Sequence, residues 1–177
     1  MPSKKTPFPK NFAMISIIYG LISFVLMVLL TLAFFYISGS GNSPVISWNY
    51  SILIVAMFLG IRTYQQKIIK GNISFQEAYV SGVFVGITAS VFFSFFMIFY
   101  SKYIDVEFIK NFVSENTIIN NKKVSIEEIK QLQQQIQSIS PIEIGIYAFG
   151  QLLLLSLFLP LLIYIFFKHK KNSDNEQ

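Results

Sequence analysis

Glu77 has the clearest opportunity for chemistry in this sequence, because it stands at the start of a long apolar segment, Ala78 to Tyr100. A carboxylate there could carry protons or act as a catalytic acid. It also completes Ser74-Phe-Gln-Glu77, an S-x-x-E capping box. In that box the Ser74 oxygen accepts from the Glu77 N–H, and the carboxylate accepts from the Ser74 N–H. We favour the helix cap, which needs no other partner, over a functional carboxylate.

Other residue types that do chemistry are scarce. The only histidine, His169, lies among Lys168, Lys170 and Lys171, and a metal site needs three or four ligands. The chain has no cysteine, which removes thiolate nucleophiles and cysteine–metal sites. No Ser-His-Asp set, HExxH motif or P-loop pattern occurs. We therefore expect no catalytic residue, metal or cofactor, and we predict that the protein is not an enzyme.

Composition indicates that the elements around these residues lie in a membrane. The 177 residues are 53% hydrophobic and 13% charged, whereas a soluble domain is ~25% charged. A spanning helix needs roughly 20 apolar residues. The sequence predicts a single-domain, all-α integral membrane protein with four transmembrane helices. Its predicted spans are about 12–37, 44–64, 75–100 and 143–167, with an outer loop over 101–142.

No Asp, Glu, Lys, Arg or His lies between Phe12 and Ile61, between Ala78 and Ser101, or from Ile144 to Phe167. Charged groups are costly in a bilayer and persist there where they function, so this pattern argues against proton-coupled transport. Gln151 and Asn49 are mildly polar, and we expect each to hydrogen-bond between helices with about 0.6–2 kcal/mol. Contact with a transported substrate is the alternative. Pro160 removes a helix hydrogen bond to Ser156 and predicts a kink in the fourth span.

Small side chains recur every four residues along the third span, at Ala78, Gly82, Gly86, Ser90 and Ser94. Such a face allows helix backbones to approach closely, and Gly82 with Gly86 forms a GxxxG pattern. Shorter faces of this kind occur in the first span, at Ser16 with Gly20, and in the second, at Ala56 with Gly60. We predict packing within the bundle, with homodimerisation as the alternative.

Basic residues predict the orientation of the chain. The N-terminal tail, the second connection and the C-terminal tail each hold three Lys or Arg residues, whereas the first connection, 38–47, holds none. The third connection, 101–143, has five Lys against six acids. Because Lys and Arg accumulate in cytoplasmic loops, we place both termini in the cytoplasm. Aromatic residues near the span ends are predicted to anchor the helices at the two interfaces: Tyr36, Trp48, Tyr50, Tyr64, Tyr79, Tyr100, Tyr103, Tyr147 and Tyr164.

The outer loop is predicted to form a helical hairpin. Ile104, Phe108 and Phe112 recur every four residues, which predicts that the third helix continues outside the membrane as an amphipathic stalk. Ser125-Ile-Glu-Glu128 is a second capping box. The residues that follow it place apolar side chains on one helical face. That face could pack on the stalk, lie on the outer leaflet or bind a partner, and we favour packing on the stalk.

Three stretches together resemble the bacterial domain-of-unknown-function 4199 family: Gly60-Ile-Arg-Thr-Tyr64, then Gly71-Asn-Ile-Ser-Phe-Gln-Glu-Ala-Tyr79, then the helix bearing Gly82 and Gly86. The pattern is a span ending in G-I-[RK]-x-Y, a short basic turn, G-x-[IV]-[ST]-F and a third span rich in small residues. The resemblance extends over nearly the whole chain. It implies a small four-span protein of the bacterial inner membrane, and it brings no established activity and no functional residues.

These observations favour a non-enzymatic membrane protein that acts through helix packing or through contact with a partner or with lipid. The competing hypothesis is a small oligomeric transporter or channel, with a pathway lined by Gln151, Asn49 and the small-residue face of the third helix. The expected surroundings are the lipid bilayer. A second copy or another membrane protein is the candidate partner, and nucleic acid is not expected.

Overall fold

A computed structural model of the chain describes residues 11–38, 44–70, 73–105, 107–108 and 139–174. Four α-helices run through this part in the order α1 (Asn11–Ser38), α2 (Pro44–Tyr64), α3 (Phe75–Phe99) and α4 (Pro141–Asp174). Two short π-helical turns, Gln65–Ile69 and Tyr100–Ile104, extend α2 and α3. The residues described contain no β-strand.

All four helices are long and apolar enough to cross a membrane. The candidate spans are Ala13–Ile37, Trp48–Ile69, Phe75–Ile104 and Pro141–Phe166. Helices suit a membrane because their backbone N–H and C=O groups bond to one another, whereas the hydrocarbon of the bilayer offers these groups no hydrogen-bond partner. The prediction of an all-helical protein with four membrane-length helices is thereby confirmed.

Successive helices run in opposite directions, and α3 lies at the centre of the bundle, in contact with α1, α2 and α4. At one end the Ser16 and Ser81 hydroxyls lie 3.2 Å apart, and the Phe75 and Tyr164 ring centroids lie 5.2 Å apart. We call this the basic end, where α1 and α3 begin and α2 and α4 end. We call the opposite end, where α1 and α3 end, the loop end.

Bulky apolar side chains cover the outside of the bundle. Leu29 of α1 is 57% exposed, and Phe158 of α4 is 63% exposed. An inside-out arrangement of this kind suits lipid, where an outward-facing leucine costs nothing. The interior instead combines a core that includes Met27, Leu53 and Met57 with buried serines. Cohesion between helices in lipid must come from close packing and hydrogen bonds.

The third helix does not continue outward as a regular stalk. The π-helical turn at Tyr100–Ile104 is followed by Asp105, whose φ of −123° and ψ of 82° are not helical. The Asp105 N–H donates to the Tyr100 carbonyl, which closes the turn. Phe108 then folds back, so that its ring meets the Tyr100 ring edge-on at 5.6 Å. The predicted continuous stalk is therefore interrupted at Asp105. The rest of the predicted stalk, including Phe112, lies outside the described residues.

Candidate functional site

The small-residue face of α3 lies against α4. A Cβ atom built on Gly82 would stand 2.5 Å from Cγ of Pro160. One built on Gly86 would overlap Ser156 and stand 2.5 Å from Cε of Met57. Real Cβ contacts essentially never fall below 3.0 Å. Glycine is therefore required at both positions, and we call this contact the α3–α4 seam.

The other members of the small-residue face lie along the same helix. Ala78 and Ser90 are fully buried. The Ser90 and Ser94 hydroxyls donate to the Ile87 and Val91 carbonyls of their own helix at 2.9 Å and 2.8 Å. These bonds satisfy the hydroxyls locally and keep the serines compact. Toward the loop end, a Cβ on Gly145 of α4 would overlap Ile98 and stand 3.0 Å from the Ser94 carbonyl oxygen.

A second close contact joins α3 to α1. A Cβ on Gly20 would lie 2.5 Å from Cβ of Thr88 and 2.8 Å from the Val85 carbonyl oxygen. On α2, a Cβ on Gly60 would lie 3.1 Å from Cγ2 of Val85 and 3.3 Å from Cβ of Tyr19, so this contact is looser. The central helix is thus approached closely at glycines of α1, α2 and α4, and Gly20 and Gly60 both meet it at Val85.

Polar side chains link the helices in pairs. The Tyr50 hydroxyl donates to Oε1 of Gln151, which joins α2 to α4. Nδ2 of Asn49 donates to Oγ1 of Thr31 at 3.3 Å, which joins α2 to α1. The Tyr19 and Thr63 hydroxyls lie 2.8 Å apart between the same two helices at the basic end. The two polar residues singled out in the spans, Gln151 and Asn49, thus each reach a neighbouring helix.

Glu77 and Ser74 form both hydrogen bonds of a capping box at the start of α3. Oε2 of Glu77 accepts from the Ser74 N–H at 2.9 Å and from the Ser74 hydroxyl at 2.6 Å. The Glu77 N–H donates to Oγ of Ser74 at 3.3 Å. A single carboxylate oxygen therefore carries both contacts, and the group lies at the basic end rather than inside the bundle. The second predicted box, at Ser125 and Glu128, lies outside the described residues.

Changing Glu77 to glutamine should lower the free energy of unfolding by no more than ~1 kcal/mol, because glutamine can occupy the same position of a capping box. Changing Ser74 to alanine should cost about 1 kcal/mol, because the Glu77 N–H then has no cap. Thermal unfolding of the purified protein in detergent measures both. A Glu77→Gln protein that folds normally but loses all cellular function would instead establish a functional carboxylate.

The prediction that Tyr64 and Tyr100 anchor the helices at the membrane interfaces is wrong, because both side chains are fully buried. Each turns into the bundle where a π-helical turn widens the helix end. Tyr50 is only partly exposed and bonds Gln151. By contrast, Tyr36 is 82% exposed and Trp48 is 58% exposed, both near the loop end.

A buried carboxylate, Asp105, lies at the loop end and was not anticipated from the sequence. It is 3% exposed, and the Tyr100 hydroxyl donates to its Oδ2 at 3.2 Å. The Tyr100 ring is surrounded by Phe35, Phe96 and Phe108, with ring centroids 5.6–6.0 Å away. The sequence signal was weak, because Asp105 follows the apolar run directly and resembles the first polar residue of a loop.

The described side chains bring no three His, Cys, Asp or Glu groups close enough to hold a metal ion. Three of the described carboxylates accept hydrogen bonds. Glu77 bonds Ser74 at the basic end, whereas Asp105 bonds Tyr100 and Glu143 accepts from the Ser140 N–H at the loop end. What the arrangement offers is a closely packed central helix with a polar contact at each end.

Comparison with known proteins places this architecture in a family. No curated protein and no solved structure matches the sequence. A family model described as "Protein of unknown function (DUF4199)" matches residues 16–169. The match begins at Ser16 in α1 and ends at His169 in α4, so it includes three spans entirely and the first from Ser16 onward, together with the α3–α4 seam. The chain therefore belongs to the DUF4199 family.

Proposed function

We propose that this four-helix protein is non-enzymatic and acts in the bacterial inner membrane through contact with another membrane protein, a second copy or lipid. The observation that carries the proposal is the closed small-residue face of α3. Gly82 and Gly86 face Pro160 and Ser156 so closely that no side chain fits between the helices. Packing of this kind builds a rigid scaffold, whose outer surface is left for contacts.

The competing function, a small transporter or channel, requires a polar pathway along the same residues. Gln151 accepts a hydrogen bond from Tyr50, and Asn49 donates one to Thr31. The small-residue face that would line the pathway lies against α4. These contacts favour the scaffold. An oligomer could still build a pathway between copies, so transport requires a direct experiment.

Transport is tested with purified protein in liposomes. The scaffold predicts no saturable uptake and no conductance above that of protein-free liposomes, for a panel of ions, amino acids and sugars. Gln151→Leu and Asn49→Leu should change the unfolding temperature and nothing in the flux assay. If the wild-type protein showed saturable flux and either substitution abolished it, the transporter hypothesis would be correct and the scaffold hypothesis would be rejected.

Both termini are proposed to lie in the cytoplasm, on the basis of the Lys and Arg distribution. Because the chain has no cysteine, single cysteines report their side of the membrane without interference. In intact spheroplasts, a membrane-impermeant maleimide should label Asn120→Cys in the outer loop. It should leave Ser3→Cys and Ser173→Cys unlabelled until the cells are lysed. Labelling of the two terminal cysteines in intact spheroplasts would show that the termini lie outside the cytoplasm, which contradicts the proposed orientation.

A further inference from the structure

The basic end carries a group of exposed cations on the connection between α2 and α3. Arg62 lies in the last turn of α2, Lys67 in the π-helical turn, and Lys70 directly after it. All three side chains are exposed. We call these three residues the basic rim. They lie at the end of a membrane-length helix, where lipid headgroups are expected.

The acidic side chain described at this end, Glu77, already accepts hydrogen bonds from Ser74. Glu77 is the only carboxylate among the side chains described at this end, and its Oε2 accepts from the N–H and the hydroxyl of Ser74. The Glu77 cap is therefore a local contact within α3. The positive charge of the basic rim is left for a ligand from outside the bundle.

Lys70 has a left-handed backbone conformation, which is unfavourable for a residue with a side chain. Its φ is 51°, the one left-handed non-glycine residue among those described, and its N–H donates to the Gln65 carbonyl at 2.9 Å. Helices commonly end this way with glycine, which has no Cβ to strain. Glycine would thus suit the turn better, whereas lysine adds a cation at the helix end.

Aromatic residues near the basic rim in sequence or at the same end of the bundle are of the kind found at the level of lipid headgroups. Phe75, five residues after Lys70, stacks on Tyr79 at 5.8 Å and meets Tyr164 of α4 edge-on at 5.2 Å. Aromatic rings of this kind favour the membrane interface. The span of α4 ends at Phe166, but the helix continues to Asp174. The helix backbone thereby carries Lys168, Lys170 and Lys171 ~3–8 Å beyond the end of that span.

We propose that the basic rim, Arg62 with Lys67 and Lys70, binds the phosphate of an anionic phospholipid in the leaflet at the basic end. The inference rests on the proposed function, because it names lipid as one of the partners of the scaffold. Lipid is favoured over soluble phosphate because the three cations stand at a membrane-interface position beside aromatic rings. Each cation near an anionic surface strengthens binding by about five-fold at low ionic strength.

The test compares lipid retention by native mass spectrometry after purification from mixed micelles of phosphatidylcholine and phosphatidylglycerol. The wild-type protein should retain phosphatidylglycerol preferentially. Arg62→Gln with Lys67→Gln should lose that preference by more than ten-fold. Lys102→Gln, which removes an exposed cation from the loop end, is the matched control and should leave it unchanged.

Lys70→Gly separates lipid binding from a structural role of the lysine. Relief of the left-handed strain should raise the unfolding temperature, while loss of the charge should lower phosphatidylglycerol retention about five-fold. A more stable protein with unchanged retention would overturn the proposal. So would a wild-type protein without lipid preference, or displacement of phosphatidylglycerol by equimolar inorganic phosphate. None of these outcomes affects the liposome flux result, which tests the scaffold independently.

Discussion

Replacing Gly86 by leucine should unfold the bundle or lower its free energy of unfolding by at least ~3 kcal/mol. The added side chain has no space, because even a Cβ there overlaps Ser156 and approaches Cε of Met57. Met57 can move its flexible end, but Ser156 is fixed to its own helix by the bond from its hydroxyl to the Leu153 carbonyl at 2.7 Å. Unfolding of the purified protein in mixed detergent measures the loss.

Gly150→Leu is the matched control for that substitution. Gly150 is also a glycine within a span, but nothing lies within 4 Å of a Cβ built there. We expect its leucine variant to unfold within ~0.5 kcal/mol of the wild type, as surface substitutions usually do. If Gly86→Leu and Gly150→Leu were equally stable, the α3–α4 seam would not be formed in the membrane.

Replacing Tyr100 by phenylalanine should cost about 1–3 kcal/mol, because it removes a hydrogen-bond donor from a buried carboxylate. The ring contacts with Phe35, Phe96 and Phe108 are retained, so the loss reports the hydroxyl and Asp105. Chemical denaturation in detergent micelles gives the free energy. This effect should exceed that of Glu77→Gln, because Asp105 is buried whereas the Glu77 cap bonds are exposed.

Tyr103→Phe removes the same hydroxyl at the same end of α3 from a side chain that is 62% exposed. Its ring faces Nζ of Lys102 at 5.1 Å, and phenylalanine retains that cation–π contact. We expect no measurable change in stability. Equal losses for Tyr100→Phe and Tyr103→Phe would contradict a specific role for the bond between Tyr100 and Asp105.

The four helices could be predicted from sequence because membrane thickness and apolar length are linked directly. The Ser74–Glu77 cap could also be predicted from the sequence, because the capping-box pattern involves only four consecutive residues. Gly82 and Gly86 stood out by their spacing. Their partners on α4 did not, because choosing Pro160 and Ser156 requires knowing how the two helices are rotated and aligned.

The differences between the predictions and the structure have another cause. Apolar spacing from Ile104 to Phe108 predicted a continuous helix, and tertiary contact with Tyr100 replaced it by a π-helical turn and a bend. Tyr64 and Tyr100 resembled interface anchors because position in a span cannot tell an inward ring from an outward one. Gly145 was missed because it is a single small residue with no repeat around it.

Packing of α3 on α4 within one chain is tested most directly by a double-mutant cycle between Gly86 and Ser156. Gly86→Ala should destabilise the protein by about 1–3 kcal/mol. Adding Ser156→Gly removes the Cβ that the alanine would overlap, so at least ~1 kcal/mol of that loss should be recovered. Strict additivity of the two substitutions would contradict the seam and would point instead to a contact between separate copies.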